Sequence, residues 1–288
     1  MRSRVFTGVG LTLLVAAPST LLLTGHTRIA VSADEEAGAV PLVVVVLPVL
    51  VGLLLVRLVP PGLPALPTPL AEHRRPLVRQ AAGLVLVAVA FSAVSLALWS
   101  VPGGELLYGP VKLLFLLGAG WLLVRRWPAP SPAGRHRARI PARWYWLGPL
   151  PAVAAWGYLH FYSPLGGEQD LSGYEAWDPV ELAVAALFTF VTASVAEELF
   201  YRVLLQTRLE ALLGRWPAIT ATALLFAAMH VHRYGDGPFW EVTAVVLASN
   251  GGFGLFVGYL WARYRNPWWL IVVHGAVNAL NLLPILLG

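Results

Sequence analysis

Residues 80–100 read QAAGLVLVAVAFSAVSLALWS, twenty-one positions without a charged side chain. A helix of roughly 20 such residues crosses the ~30 Å hydrocarbon core of a bilayer, whereas a surface helix of a water-soluble domain would carry a polar face. The run does not alternate apolar and polar positions, which argues against a barrel strand. In lipid a helix satisfies its own backbone groups. Comparable runs lie on both sides, predicting helices over about 5–25, 40–56, 80–100, 108–124, 145–161, 179–201, 217–231, 239–261 and 267–287, the fifth and seventh being short. The sequence therefore reads as all-α: a polytopic transmembrane helical bundle of eight or nine spans.

Composition agrees. Of 288 residues, 58% are hydrophobic and 12% are charged, with a mean hydropathy of +0.69. Water-soluble domains carry about 25% charged residues, and half that value cannot cover a water-facing surface. The chain has no cysteine, which removes disulfides, thiolate metal sites and a cysteine nucleophile. The net charge of +5 would suggest nucleic acid in a soluble chain. Its distribution points instead to the lipid bilayer as partner, and to no nucleic acid. Arg2 and Arg4 precede the first run, and Arg57, Arg74, Arg75 and Arg79 follow the second. Arg125, Arg126, Arg135, Arg137, Arg139 and Arg143 follow the fourth. Arg202, Arg208 and Arg215 follow or end the sixth, and Arg263 and Arg265 follow the eighth. Seventeen of the 20 basic residues thus fall on one side. Asp34, Glu35, Glu36, Glu105, Glu168, Asp170, Glu175, Asp178 and Asp236 fall on the other. The positive-inside rule then predicts a multi-pass protein of the cell membrane, with its N-terminus in the cytoplasm and its C-terminus outside.

The first run reads as an uncleaved helix, because the small-residue site at Val31-Ser32-Ala33 lies well beyond its end. A basic, Pro-rich stretch at 125–144 reads as a cytoplasmic linker between a four-span N-terminal region, 1–124, and a five-span C-terminal core, 145–288. The stretch 57–79 has the same character. The twelve tryptophans, Trp268 and Trp269 among them, fit interfacial belts.

Ionisable residues inside spans are costly, by roughly 2.5–3.5 kcal/mol on insertion scales, and mark function when they occur. The N-terminal spans hold one, Lys112, placed near a span end from which it can snorkel to the interface. The C-terminal part holds several. Glu197 and Glu198 lie near the end of the sixth span, followed by Arg202. His230 closes the seventh, and His274, Asn278 and Asn281 lie in the ninth. Glu198 and Arg202 share a helix face. Glu197 is turned by about 100° from Glu198, so one carboxylate can hold the arginine while the other points into the bundle. Phe226 and His230, and His274 and Asn278, repeat the same spacing. A carboxylate, two imidazoles and an amide suit hydrolysis. The glutamate can act as general base near neutral pH in a dry site, and a histidine can place the water or relay a proton. A second histidine and an asparagine can donate to a developing oxyanion. Two histidines and a glutamate also make a catalytic zinc shell, so metal-activated and glutamate-activated water both remain open. His232, two residues beyond His230, reads as a loop residue. Tyr234 to Gly237 reads as a turn, and Asn250-Gly251-Gly252 as close helix packing or a break.

At these positions the sequence resembles the CPBP family, the CAAX proteases and bacteriocin-processing enzymes similar to the type II CAAX prenyl protease. The first motif reads Glu197-Glu198-Leu199-Phe200-Tyr201-Arg202. The second reads Phe226-Ala227-Ala228-Met229-His230, and the third His274-Gly275-Ala276-Val277-Asn278. The resemblance implies an intramembrane endopeptidase acting on a membrane-associated or lipidated peptide or protein. It implies Glu197 as the base, with His230 beside it. His274 and Asn278 would stabilise the oxyanion, with His274 as ligand if a divalent metal such as zinc is used. Glu198 and Arg202 would support the site. The reading from a different class is a non-catalytic membrane immunity factor or scaffold, which would tolerate loss of Glu197.

Overall fold

The computed structural model describes residues 2–31, 38–60, 74–129, 137–167, 171–233 and 237–287. The acidic residues 34–36, 168, 170 and 236, much of the two Pro-rich stretches, and most of the 234–237 turn fall outside them. The described chain is helical, apart from one two-residue antiparallel pairing that sets Arg28 against Pro41 and Ile29 against Val40.

All nine apolar runs are helical. They are α1 (Arg2–Leu23), α2 (Leu42–Leu58), α3 (Arg74–Trp99) and α4 (Glu105–Arg126) in the N-terminal part. A short helix, Ala142–Leu147, leads into α5 (Leu150–Gly157), which runs on through a wide turn at Tyr158–Tyr162. Then come α6 (Pro179–Leu213), α7 (Arg215–Ala228), α8 (Phe239–Tyr264) and α9 (Pro267–Ala279), the last extended by a tight turn and a terminal helical segment. Six of them (α1, α3, α4, α6, α8 and α9 with its extension) are long and apolar enough to cross a membrane. The other three, α2, α5 and α7, are shorter.

Local chemistry sets the helix starts. Asp178 caps α6 by accepting from the backbone N–H of Val180 (2.8 Å) and Glu181 (3.3 Å), with Pro179 at the first helical position. Asn266 caps α9 in the same way at Trp268 (3.0 Å), again ahead of a proline, and donates to the Tyr145 carbonyl (2.9 Å). Arg265, in the left-handed region at φ 53°, makes the corner between α8 and α9 and is held there by Glu210.

The bundle is built around α8. In its most apolar window 61% is buried, against 22–28% for the other five crossing helices. The difference separates a central helix from peripheral ones that present Val180, Leu86 and Leu114 outward. One core layer brings Leu14 of α1, Val49 and Val56 of α2, and Trp156 of α5 against Phe256 and Leu260 of α8 and Val273 of α9. A second packs Leu84 and Phe91 of α3 and Leu116 of α4 against Phe200, Leu205 and Phe226. Close approach to α8 depends on Gly254 and Gly258. A Cβ at Gly254 would lie 3.0 Å from the Ala223 Cα of α7, and one at Gly258 would lie 3.1 Å from Gln206 Oε1 of α6. The Asn250-Gly251-Gly252 run is a wide turn, Leu247–Gly251, passing into regular helix at Gly252. Gly251 also packs closely, since a Cβ there would lie 2.5 Å from Leu14 Cδ2 of α1, and Gly254 and Gly258 continue the small face one and two turns further on.

Three expectations are corrected. The sixth helix does not stop at 201 but continues to Leu213. Arg202 and Arg208 are therefore not loop charges. Arg202 pairs with Glu198, and Arg208 donates to Gln80 Oε1 (2.6 Å) on α3. The fourth helix begins at Glu105, not 108, so Lys112 lies two turns inside it, about 10 Å along the axis. Its side chain is 2% exposed; it does not snorkel. His232 lies in the turn after α7, as a loop residue would, yet it is buried against the rings of Trp99 and Tyr108, at 4.7 and 5.2 Å between centroids.

Candidate active site

The two glutamates sit in the middle of α6, where its winding widens. Residues 190–195 and 198–206 adopt π-helical turns. Such turns relax the backbone ladder and recur at functional sites. Here they aim two adjacent carboxylates at different partners. Both side chains, with that of Arg202, are fully buried.

Glu198 faces α9 and its own helix. One oxygen, Oε1, accepts from His274 Nδ1 at 2.9 Å, and the other lies 3.2 Å from Arg202 Nε. The Arg202 guanidinium also lies over the Phe226 ring, 4.9 Å from its centroid. That ring is 4.8 Å from the imidazole of His230 and 5.9 Å from that of His274. Phe226 thus forms an apolar wall shared by three of the polar groups.

Glu197 points the other way. Its Oε2 lies 4.0 Å from His230 Nε2 and 3.9 Å from His274 Nε2. Its Oε1 is paired with the ammonium of Lys112, which reaches in from α4. The expected division of labour is present: one carboxylate holds the arginine and the other faces the histidines.

The imidazoles are oriented from behind. His230 Nδ1 lies 2.8 Å from the Phe226 carbonyl. A carbonyl only accepts, so Nδ1 carries the proton and Nε2 is turned toward Glu197. His274 presents Nε2 likewise, its Nδ1 being directed at a carboxylate. Asn278 sits one turn further along α9 and donates to Ser194 Oγ at 3.1 Å. Ser194 is one turn before Glu198 on α6. Gly275 makes this approach possible, since a Cβ there would meet the Phe190 ring at 2.9 Å. Asn281 lies in the following turn.

Glu197, Glu198, Arg202, His230 and His274 are therefore in one connected cluster, with Asn278 at its edge on Ser194. The sequence reading missed Lys112, Ser194 and Gly275. Gly275 stands inside the third motif and could have been noticed as a small residue on the motif face. Lys112 stood out as the one ionisable residue of the N-terminal spans, but its place near a span end reads as that of an interfacial lysine.

The donor set does not fit a metal in this arrangement. Among the described residues no three His, Cys, Asp or Glu side chains are grouped to hold one. Moreover, Glu197 already carries an ammonium on one oxygen. A divalent cation at Glu197 would compete with the Lys112 ammonium for the same carboxylate.

Comparison with known families bears on the same segment. Residues 179–280, about a third of the chain and spanning α6 to α9, match the family model described as Type II CAAX prenyl endopeptidase Rce1-like. No curated protein and no solved structure matches significantly.

Proposed function

We propose that this multi-pass membrane protein, whose residues 179–280 match the Rce1-like type II CAAX prenyl endopeptidase model, hydrolyses a peptide bond of a membrane-associated or lipidated peptide with Glu197 as general base. The observation that carries the proposal is the position of Glu197 Oε2, 3.9–4.0 Å from the Nε2 atoms of two imidazoles. That separation exceeds a direct hydrogen bond and suits a bridging water.

The steps follow from the donors and acceptors. A water between the three groups gives a proton to Glu197 Oε2 while His230 Nε2 accepts from its other O–H. The oxygen attacks the peptide carbonyl carbon. Negative charge on the carbonyl oxygen is met by Asn278 and by His274. Glu198 holds the His274 ring in place through Nδ1. The proton on Glu197 passes to the peptide nitrogen as the C–N bond breaks, leaving a carboxylic acid and an amine. Arg202 keeps Glu198 from being an unpaired buried charge. Preorganised donors of this kind are worth roughly 3–4 kcal/mol each.

The test is to label new protein N-termini in membranes of cells producing the wild type or Glu197→Ala at matched levels. Fragments that appear with the wild type and vanish with the variant are expected. Identical N-terminal profiles, with a wild-type phenotype retained by the variant, would overturn the proposal in favour of a scaffold.

A further inference from the structure

The carboxylate of Glu197 is shared between two parts of the chain. Oε2 faces His230 and His274 of the family-matched segment, whereas Oε1 is held by Lys112. Lys112 lies on α4, outside residues 179–280. It is fixed there by more than the ion pair. Its ammonium lies 5.2 Å from the ring centroid of Tyr108, one turn earlier. That ring is packed in turn by Trp99 at the end of α3 (5.5 Å) and by His232 in the turn after α7 (5.2 Å). The α3–α4 hairpin thus delivers a buried cation to the one carboxylate of the pair that lacks Arg202.

The charges also close. Glu198 is balanced by Arg202, and Glu197 has its counter-charge in Lys112. A buried ion whose partner is removed is strongly disfavoured, and no helix of the matched segment supplies a second cation in contact with Glu197 among the described residues.

We infer that Lys112 is a positioning residue for the reaction: by binding Oε1 it fixes the Glu197 carboxylate so that Oε2 meets the water and the two imidazoles. The N-terminal region thereby completes the active site and is not a separable addition to it. Lys112 touches neither water nor peptide; it acts through Glu197. The inference rests on the reading of Glu197 as the base, and its test has one arm that does not.

The full-length chain is compared with Lys112→Met, which keeps length and removes charge, and with Lys112→Arg, which keeps charge. The first readout is the rate at which the wild-type fragments appear in N-terminal labelling. Lys112→Met is expected to slow them about 100-fold, the size of effect that a misplaced reacting group produces, with Lys112→Arg recovering a large part. The second readout is thermal unfolding of Lys112→Met, Glu197→Gln and the double variant. Coupling is expected, the double variant losing less than the two single losses together. Strict additivity would overturn the inference whatever the activity shows. A fully active Lys112→Met would overturn it too, as would equal loss in both lysine variants without coupling. If the wild type yields no fragments, it is the reading of Glu197 as a base that fails, and the unfolding cycle still decides whether Lys112 is tied to Glu197.

Discussion

At the residue scale the site is a charge-balanced cluster in a place where imbalance is costly. Glu198 illustrates this. It is fully buried and touches both Arg202 and His274. Glu198→Gln leaves the guanidinium without its counter-charge, and breaking a buried pair from one side costs about 3–5 kcal/mol. Unfolding in detergent should show a loss of that order, partly recovered when Arg202→Met is added. An unchanged unfolding midpoint would mean that the pair contributes nothing to the fold. The sequence displayed Glu197, Glu198, Arg202, His230, His274 and Asn278 because helical spacing places each set on one face. Lys112 was illegible for two physical reasons. Its partner is far along the chain, and an apolar boundary drawn three residues late put it near an interface where a lysine ordinarily snorkels.

At the scale of elements, two local readings mattered. The sixth helix was drawn short because Arg202 and Arg208 read as charges leaving the membrane. Both are instead satisfied internally, by Glu198 and by Gln80, and an internally paired charge does not end a helix. The central position of α8 rests on a feature that an apolar run conceals, the spacing of Gly254 and Gly258. Gly254→Val would press into the Ala223 backbone, starting from a Cβ distance of 3.0 Å. Overpacking of this kind costs about 1–3 kcal/mol. Thermal unfolding should drop accordingly, with a matching drop in fragment formation, since His230 follows directly on the end of α7. A valine variant as stable as the wild type would show that the α7–α8 contact can open freely.

At the scale of the whole molecule, the alternation of basic and acidic ends made the bundle and its connections legible before any coordinates. Several of the basic residues do more than mark a side. Arg263 reaches the carbonyls of Arg57 and Pro60, and Arg265 pairs with Glu210, whose other oxygen accepts from Gln206 at 2.7 Å. These bonds tie the α2 end to the α8–α9 corner, so one rim of the bundle is stitched across both halves. We propose that this rim faces the cytoplasm, as the positive-inside rule predicts. The chain has no cysteine, so single cysteines can be introduced without background. One beside Arg126 should be hidden from a membrane-impermeant maleimide in intact cells, and one beside Asp178 should react. The reverse pattern would invert the orientation.

The central claim is that Glu197 activates water. Wild type and Glu197→Gln, reconstituted in vesicles at equal folded fraction, would be given a peptide spanning a cut found by N-terminal labelling, in heavy-oxygen water and a chelating buffer. The account predicts that the wild type cleaves, with heavy oxygen in the new carboxylate and no peptide–protein adduct, and that Glu197→Gln does not cleave. Cleavage by Glu197→Gln at the wild-type rate, or wild-type activity lost to the chelator and restored by zinc, would contradict it.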